Sequence, residues 1–339
     1  MSVKRRIFLC FIFFMIFFIP VKGYAAQTSN VDYSVEPILP ANQIKRGNTF
    51  FDLKVLPNQK QTIKIKINNF AKTQQTFHIR VNDAQTNSNL VIDYNNFETN
   101  GFIGAKKIST MIEYPKTITI PAQKSGIVSL NLSVLNQSFD GILLGGIQVQ
   151  KEKPKKKTNE NTFTTEYDYI IGLMLSENEK KIVPELKFVS VKPSVIENNA
   201  GVEIQLQNVK PINIAAVTLN GYIYKDKSPK TVISRIIKNG SIAPESSFKI
   251  AFFNGEMGKT KPLEPGNYLL KLTLEEKNGQ KWDFEEEFKI TKKQAQTVNN
   301  HVFVVKKDNT LLYGIMGVLL AILLLLLLLV VKKYKKKQH

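Results

Sequence analysis

Three histidines and one cysteine are the side chains of this chain best suited to acid–base, nucleophilic or metal chemistry. His339 ends the chain, His301 lies in a polar stretch, and His78 faces outward from an alternating pattern, so no pair is spaced to bind a metal. Cys10 lies in an apolar N-terminal stretch that we expect to be removed, which leaves no thiol for a disulfide, a metal or catalysis. We therefore predict no catalytic residues, no metal and no cofactor.

One spacing resembles that of a serine nucleophile. Ser246 and Lys249 form the Ser-x-x-Lys match of penicillin-binding proteins and β-lactamases. That chemistry needs both side chains on one helical face, which the i, i+3 spacing supplies in a helix. Here the match runs into a strand pattern, in which positions i and i+3 point to opposite faces of the sheet. We therefore interpret Ser246 and Lys249 as ordinary strand residues.

Residues 83–93 are rich in Asp, Asn, Thr and Ser, a composition that suits an oxygen-lined calcium site. An EF-hand loop would have glycine at its sixth position and glutamate at its twelfth, where this chain has Ser88 and Tyr94. A looser oxygen-lined site stays open as an alternative. Side chains that form Asx turns explain the same composition without a metal.

The elements that would position these residues are strands, because apolar and polar residues alternate along most of the chain. Turn residues separate the alternating runs, such as Pro57-Asn58, Pro265-Gly266 and Asn278-Gly279. The apolar positions of the clearest runs are Ile63, Ile65, Ile67; Phe77, Ile79, Val81; Val128, Leu130, Leu132, Val134; Val202, Ile204, Leu206; Phe248, Ile250, Phe252; and Tyr268, Leu270, Leu272, Leu274. The pattern predicts an all-β fold of two tandem immunoglobulin-like β-sandwich domains.

The boundary between the two domains is ambiguous in the sequence. The lysine-rich stretch 151–164 has the composition of a linker, yet strand-like segments lie on both sides of it, so it is either a linker or the tip of a long hairpin. We favour the hairpin, which moves the boundary to the polar stretch 176–181. The predicted organisation is a signal peptide at 1–25, a first domain at 30–178 with its core at 30–150, a second domain at 179–292, a stalk at 293–310, a transmembrane helix at 311–331 and a basic tail at 332–339.

The two ends of the chain predict export and anchoring. Lys4, Arg5 and Arg6 precede a short apolar stretch that ends in small residues around Ala25, as in a secretory signal peptide. Near the other end, 21 apolar residues at 311–331 would span about 31 Å as a helix, the thickness of a bilayer core. Five lysines follow and mark the cytoplasmic side. We expect a single-pass protein of the cell membrane with its domains outside the cell.

The formal net charge of +19 includes basic residues of both predicted ends, so the exported part is less basic than the whole chain. A moderately basic exported surface suits an anionic neighbourhood such as lipid headgroups or cell-wall polymers, and it also simply aids solubility. Nucleic acid is a poor partner for an exported and tethered protein.

Several stretches together resemble the WxL-interacting proteins of low-GC Gram-positive bacteria. The stretches that carry this resemblance, over nearly the whole chain, are 35–43 (VEPILPANQ), 51–53 (FDL), 81–84 (VNDA), 86–87 (TN), 91–94 (VIDY), 139–147 (FDGILLGGI), 169–175 (YIIGLML), 263–268 (LEPGNY) and 282–284 (WDF). The resemblance implies that the first domain binds peptidoglycan and that the second binds host matrix proteins or sister proteins. It also implies WxL-domain proteins, which coat the wall non-covalently, as partners.

The resemblance brings no catalytic residues, and it leaves the ligand-binding residues unknown. Asn82, Asp83, Asp93 and Tyr94 are polar enough to bind a glycan, with Tyr94 as a stacking face, but they are equally suited to holding a long loop in shape. The function that we expect is a non-enzymatic cell-surface scaffold or adhesion protein. The alternative is an exported chaperone-like assembly factor for surface proteins, since sandwiches with exposed strand edges can bind another chain.

Overall fold

The computed structural model describes residues 32–95, 101–152, 167–226, 228–256 and 259–302, together with 315, 317–322 and 324. The predicted signal peptide (1–25), the basic tail (332–339) and most of the predicted transmembrane helix (311–331) lie outside these residues. The part of 311–331 that is described is helical. None of the helices in the described part of the chain combines the length and the apolarity that a membrane crossing requires.

The all-β prediction is confirmed, and the first half of the chain forms one two-sheet unit. Its strands are β1 (Tyr33–Ile38), β2 (Phe51–Lys54), β3 (Lys60–Asn69), β4 (Gln75–Asp83), β5 (Gln85–Thr86), β6 (Ile92–Asp93), β7 (Ile112–Glu113), β8 (Thr117–Ile120), β9 (Ser125–Ser133), β10 (Leu143–Lys151) and β11 (Asp168–Ser176). Within the described residues, its two larger sheets have the orders β1-β3-β9-β7 and β2-β11-β10-β4-β8, and β5 and β6 pair separately. We call the two larger sheets the four-stranded and the five-stranded sheet of the first unit.

The alternation predicted from the sequence builds the core of this unit. The alternating apolar residues predicted in β3, β4 and β9 are almost fully buried, and the residues between them, including Ile127 of β9, point outward. Both sheets contribute to one cluster, in which Phe51, Leu53, Phe77, Ile147 and Leu173 are each essentially inaccessible to solvent. Burial of each such side chain stabilises the fold by about 1.5–3 kcal/mol relative to exposure.

The lysine-rich stretch lies between two strands of the same sheet. β10 and β11 pair antiparallel over their whole length, from Leu143 opposite Leu175 to Gln150 opposite Asp168. This pairing is the one that the hairpin interpretation predicts. Residues 153–166, which hold most of the stretch, lie outside the described residues.

The second half of the chain forms another two-sheet unit. Its elements are β12 (Leu186–Ile196), β13 (Asn199–Asn208), β14 (Ile214–Lys225), β15 (Thr231–Ile242), β16 (Ser246–Phe253), β17 (Gly255–Glu256), β18 (Lys259–Thr260), β19 (Gly266–Glu276), β20 (Lys281–Ile290) and helix α1 (Lys292–Asn300). Among the described residues, its larger sheets have the orders β12-β13-β16 and β15-β14-β19-β20, and both contribute to a second hydrophobic cluster.

Helix α1 occupies the first part of the predicted stalk at 293–310, whose residues 303–310 lie outside the described residues. Thr291 caps the helix by accepting a hydrogen bond from the Gln294 backbone N–H, and the Gln294 side chain returns the bond in a capping box. Ala295 and Val298 are buried in the second core, so the helix belongs to the second unit. An apolar stripe of two residues in nine is too short to stand out in the sequence, which is why the helix was missed.

Candidate functional site

The polar residues of 83–93 hold the chain in shape. Asp83 accepts hydrogen bonds from the Ser109 backbone N–H at 3.1 Å and from the Ser109 hydroxyl at 2.6 Å. The Asn87 side-chain oxygen accepts from the backbone N–H groups of Asn89 (2.9 Å) and Val91 (3.1 Å) in an Asx turn. Asp93 likewise accepts from the Asn95 N–H at 2.8 Å. Within the described residues, no group of three His, Cys, Asp or Glu side chains could hold a metal ion.

Asn82 and Tyr94 are joined to one another. The Asn82 amide donates to the Tyr94 backbone carbonyl at 2.7 Å, and the Tyr94 ring lies directly against the backbone of Gly146. A β-carbon on Gly146 would lie only 2.7 Å from Cγ of that ring. Burial raises the pKa of the Tyr94 hydroxyl above its ordinary value. These two residues therefore fasten the loop onto the five-stranded sheet.

The remainder of this loop reaches the second unit. Residues 84–95, which we call the bridging hairpin, include the paired strands β5 and β6. Leu90, at the tip of this hairpin, is fully buried in the second hydrophobic cluster, although the hairpin itself is part of the first half of the chain. Its backbone adopts a left-handed conformation with φ of 54°, which is unfavourable for leucine and directs this side chain into the second core.

Polar contacts fix the bridging hairpin on the second unit. The Thr86 hydroxyl is hydrogen-bonded to the Ser246 hydroxyl at 2.9 Å and accepts from the Ala243 N–H at 2.9 Å. The Arg235 guanidinium donates to the Asn89 side-chain oxygen at 2.6 Å and to the Ser88 carbonyl at 3.2 Å. The two units are thus joined by buried contacts as well as by the chain between β11 and β12.

The Ser-x-x-Lys residues lie where the strand interpretation places them. The Ser246 hydroxyl is buried at the contact with Thr86, whereas the exposed Lys249 ammonium forms an ion pair with Glu203 at 3.3 Å on the other side of the sheet. His78 lies on the outward side of β4, and the His301 Nδ1 lies 2.7 Å from the Thr297 carbonyl at the end of α1. None of these described groups is positioned to activate another.

The most distinctive surface of the first unit was missed from the sequence. It is the outer face of the five-stranded sheet, which is the side opposite the core. On this face Gly146 of β10 and Gly172 of β11 are direct antiparallel partners. The partly exposed rings of Tyr94 and Phe50 lie against these two glycines, one on each. We call these four residues the aromatic platform.

Polar side chains adjoin the aromatic platform on the same face. In the strand register, Gln148 lies beside Arg80 on β4, and Gln150 lies between His78 on β4 and Asp168 on β11. The Gln148 amide nitrogen donates to Asp168 at 2.8 Å and to Asn95 at 3.0 Å. The sequence did contain one signal of this face. Each of two strand patterns, 139–147 and 169–175, has a glycine at an outward position.

These observations define a class of protein: two β-sheet units in series, joined by buried contacts, with an open polar and aromatic face on the first unit. Residues 33–151 match the peptidoglycan binding domain of WxL Interacting Protein, and residues 158–300 match its host binding domain. The chain therefore belongs to the WxL-interacting protein family, as the resemblance predicts. The second match includes β11, although this strand pairs with β10 and β2 of the first unit.

Other comparisons give weaker likenesses. The CsuC–CsuE chaperone–tip adhesion subunit complex of Acinetobacter baumannii is 14% identical, with 75% of this chain and 97% of that chain covered and a TM-score of 0.36. The CupB2 chaperone of Pseudomonas aeruginosa is 11% identical, with 69% and 95% covered and a TM-score of 0.29. Scores of this size carry no argument about function. No curated protein matches the sequence.

Proposed function

We propose that this protein is a non-enzymatic cell-surface scaffold that binds peptidoglycan through its first unit and a protein partner through its second. The observation that carries the proposal is the order of the two family matches, a peptidoglycan binding domain followed by a host binding domain. The family is a binding family rather than an enzyme family. The partners that we propose are WxL-domain proteins and host matrix proteins.

The proposal includes a location. A signal peptide at 1–25 would direct export, and the apolar run at 311–331, followed by lysines, would hold the protein in the cell membrane. The proposed domain boundaries are 30–178 and 179–300, the latter extended from 292 to include helix α1. In each unit two sheets, antiparallel except where β2 pairs parallel with β11, enclose one core, which supports an immunoglobulin-like sandwich.

Sedimentation with insoluble peptidoglycan tests the wall-binding function. The full chain, purified in detergent, should pellet with peptidoglycan, whereas serum albumin under the same conditions should stay in the supernatant. Recovery of the full chain in the supernatant at the albumin level would contradict peptidoglycan binding. Release of labelled sugar or peptide from the pelleted wall would contradict the non-enzymatic part.

A truncation before Leu311 tests the anchor. Cells that produce this variant should release it into the medium or the wall fraction, whereas the full chain should fractionate with the membrane. Retention of the truncated chain in the membrane would contradict anchoring by 311–331. The chaperone-like alternative predicts a transient complex with a WxL-domain protein, while a scaffold predicts a stoichiometric complex that survives gel filtration.

A further inference from the structure

The fold does not require glycine at position 172. Gly172 lies inside the regular ladder between β10 and β2, where glycine weakens a strand because it lacks a side chain to pack. A β-carbon there would lie 3.4 Å from Cβ of Phe50, which is an ordinary contact. Its partner Gly146 differs, because the Tyr94 ring occupies the space that a side chain would need. An unneeded glycine in a strand is typical of a place where another group approaches the backbone closely.

The two rings beside these glycines supply a surface for stacking. Tyr94 and Phe50 are partly exposed, and each is held against the backbone of its glycine. The C–H groups of a pyranose ring pack well against the π-face of an aromatic ring, because that face is apolar and partly negative. Paired strands are about 5 Å apart, so the two glycines that these rings contact are immediate neighbours on one face of the sheet.

The polar groups next to the rings fit an N-acetylated sugar. Gln148 is only 3% exposed, and its side-chain oxygen has no hydrogen-bond partner among the described residues. A buried and unpaired carbonyl costs about 1–3 kcal/mol, and an acetamido N–H that donates to it would recover this free energy. The exposed Asp168 carboxylate on the same face can accept from sugar hydroxyls.

From this arrangement we propose that the aromatic platform, with Gln148 and Asp168, is the site at which the first unit binds the glycan strand of peptidoglycan. The ligand class is a polymer of N-acetylated amino sugars, whose rings stack on Phe50 and Tyr94 above Gly172. The assignment rests on the proposed peptidoglycan binding and locates it on one face of one sheet.

The decisive variant is Gly172→Ala in the full chain. Because the methyl group fits beside Cβ of Phe50 at an ordinary contact distance and alanine suits a strand better than glycine, the melting temperature should stay equal or rise. The same methyl group occupies the surface that the sugar approaches, so affinity for insoluble peptidoglycan should fall about tenfold or more. Loss of binding without loss of stability is an outcome that a structural role for Gly172 does not produce.

Two further variants complete the experiment. Phe50→Leu keeps an apolar side chain but removes the ring, and it should also weaken sedimentation with peptidoglycan. Ser129→Ala changes an exposed residue on the outer face of the four-stranded sheet and should bind like the parent chain. Soluble N-acetylglucosamine oligomers should compete with the insoluble wall for the parent chain, and free stem peptides should not.

The outcomes separate the two proposals. If the parent chain does not sediment with peptidoglycan, the proposed function is wrong. If the parent chain binds and Gly172→Ala binds equally well, the function stands and the site is wrong. Competition by stem peptides alone would also overturn the glycan assignment, because it would place the peptide rather than the sugar on the platform.

Discussion

Two polar regions of the first unit differ in how their hydrogen-bonding groups are used. In residues 82–95 the side chains of Asn82, Asp83, Asn87 and Asp93 bond to the chain itself and fix the bridging hairpin. On the outer face of the five-stranded sheet, Gln148 keeps an unpaired oxygen within the described structure, and two rings remain partly exposed. The first region has the composition of a ligand site and acts as a joint. The second has an unremarkable composition and keeps groups available for a ligand.

Polar composition alone therefore does not identify a binding site. What matters is whether the polar groups already have partners, because a satisfied group gains little from a ligand and an unsatisfied buried group gains more. The bridging hairpin also shows that the two units are not independent modules. A leucine from the first unit completes the core of the second.

The largest effect is expected from Leu90→Ala, which would break the joint. Because Leu90 is fully buried in the second core, the substitution should lower the free energy of unfolding by about 2–5 kcal/mol. Trp282 is the single tryptophan and packs on that core, so its fluorescence during urea unfolding measures the effect. Val91→Ala is the matched control, since Val91 is 54% exposed. Equal unfolding midpoints for the two variants would contradict the insertion of Leu90.

A smaller loss of stability is expected from Asp83→Ala, which tests whether the polar loop has a structural role. Two hydrogen bonds from Ser109 would be lost, at a cost of about 1–3 kcal/mol in unfolding free energy. Thermal unfolding of Asp83→Ala, Ser109→Ala and the double variant forms a double-mutant cycle. We expect a clear coupling energy between the two sites, with affinity for peptidoglycan unchanged. Additive effects, or lost binding in a folded Asp83→Ala protein, would argue against a purely structural role.

The smallest effect concerns the pH dependence of the joint. Burial raises the pKa of the Glu245 carboxyl, which lies beside Gly104 where residues 101–104 contact the second unit, and Lys106 opposes the shift. A carboxyl whose pKa is higher in the folded state contributes stability below its unfolded pKa of about 4.3 and loses it as the pH rises through the folded pKa. Glu245→Gln should therefore raise the melting temperature at pH 7 and change it little at pH 4.

Glu185 supplies the opposite sign within the same protein. A hydrogen bond from Lys210 lowers the pKa of its carboxyl, so its contribution is present at neutral pH and is lost as the pH falls through the folded pKa. Glu185→Gln should lower the melting temperature slightly at pH 7 and leave it unchanged at acid pH. Shifts of the same sign for Glu185→Gln and Glu245→Gln would contradict the role of burial at Glu245.

The strands could be predicted from the sequence, because a side-chain period of two shows which face of a strand is buried. Ile63, Ile65 and Ile67 of β3 are all in the first core, and Val202, Ile204 and Leu206 of β13 are all in the second. The motifs from Val35 to Phe284 also sufficed to place the chain in its family. Local patterns and short motifs are properties of neighbouring residues, so the sequence displays them directly.

Contacts between distant residues became known only from the assembled fold. Three contacts join parts of the chain whose partners no local pattern names. They are the insertion of Leu90 into the second core, the docking of α1 through two residues, and the placement of Gly146 opposite Gly172. Such contacts depend on strand register and on the space left between packed units. That is why the polar loop proved to be a joint, and why the aromatic platform became visible only after the sheet was assembled.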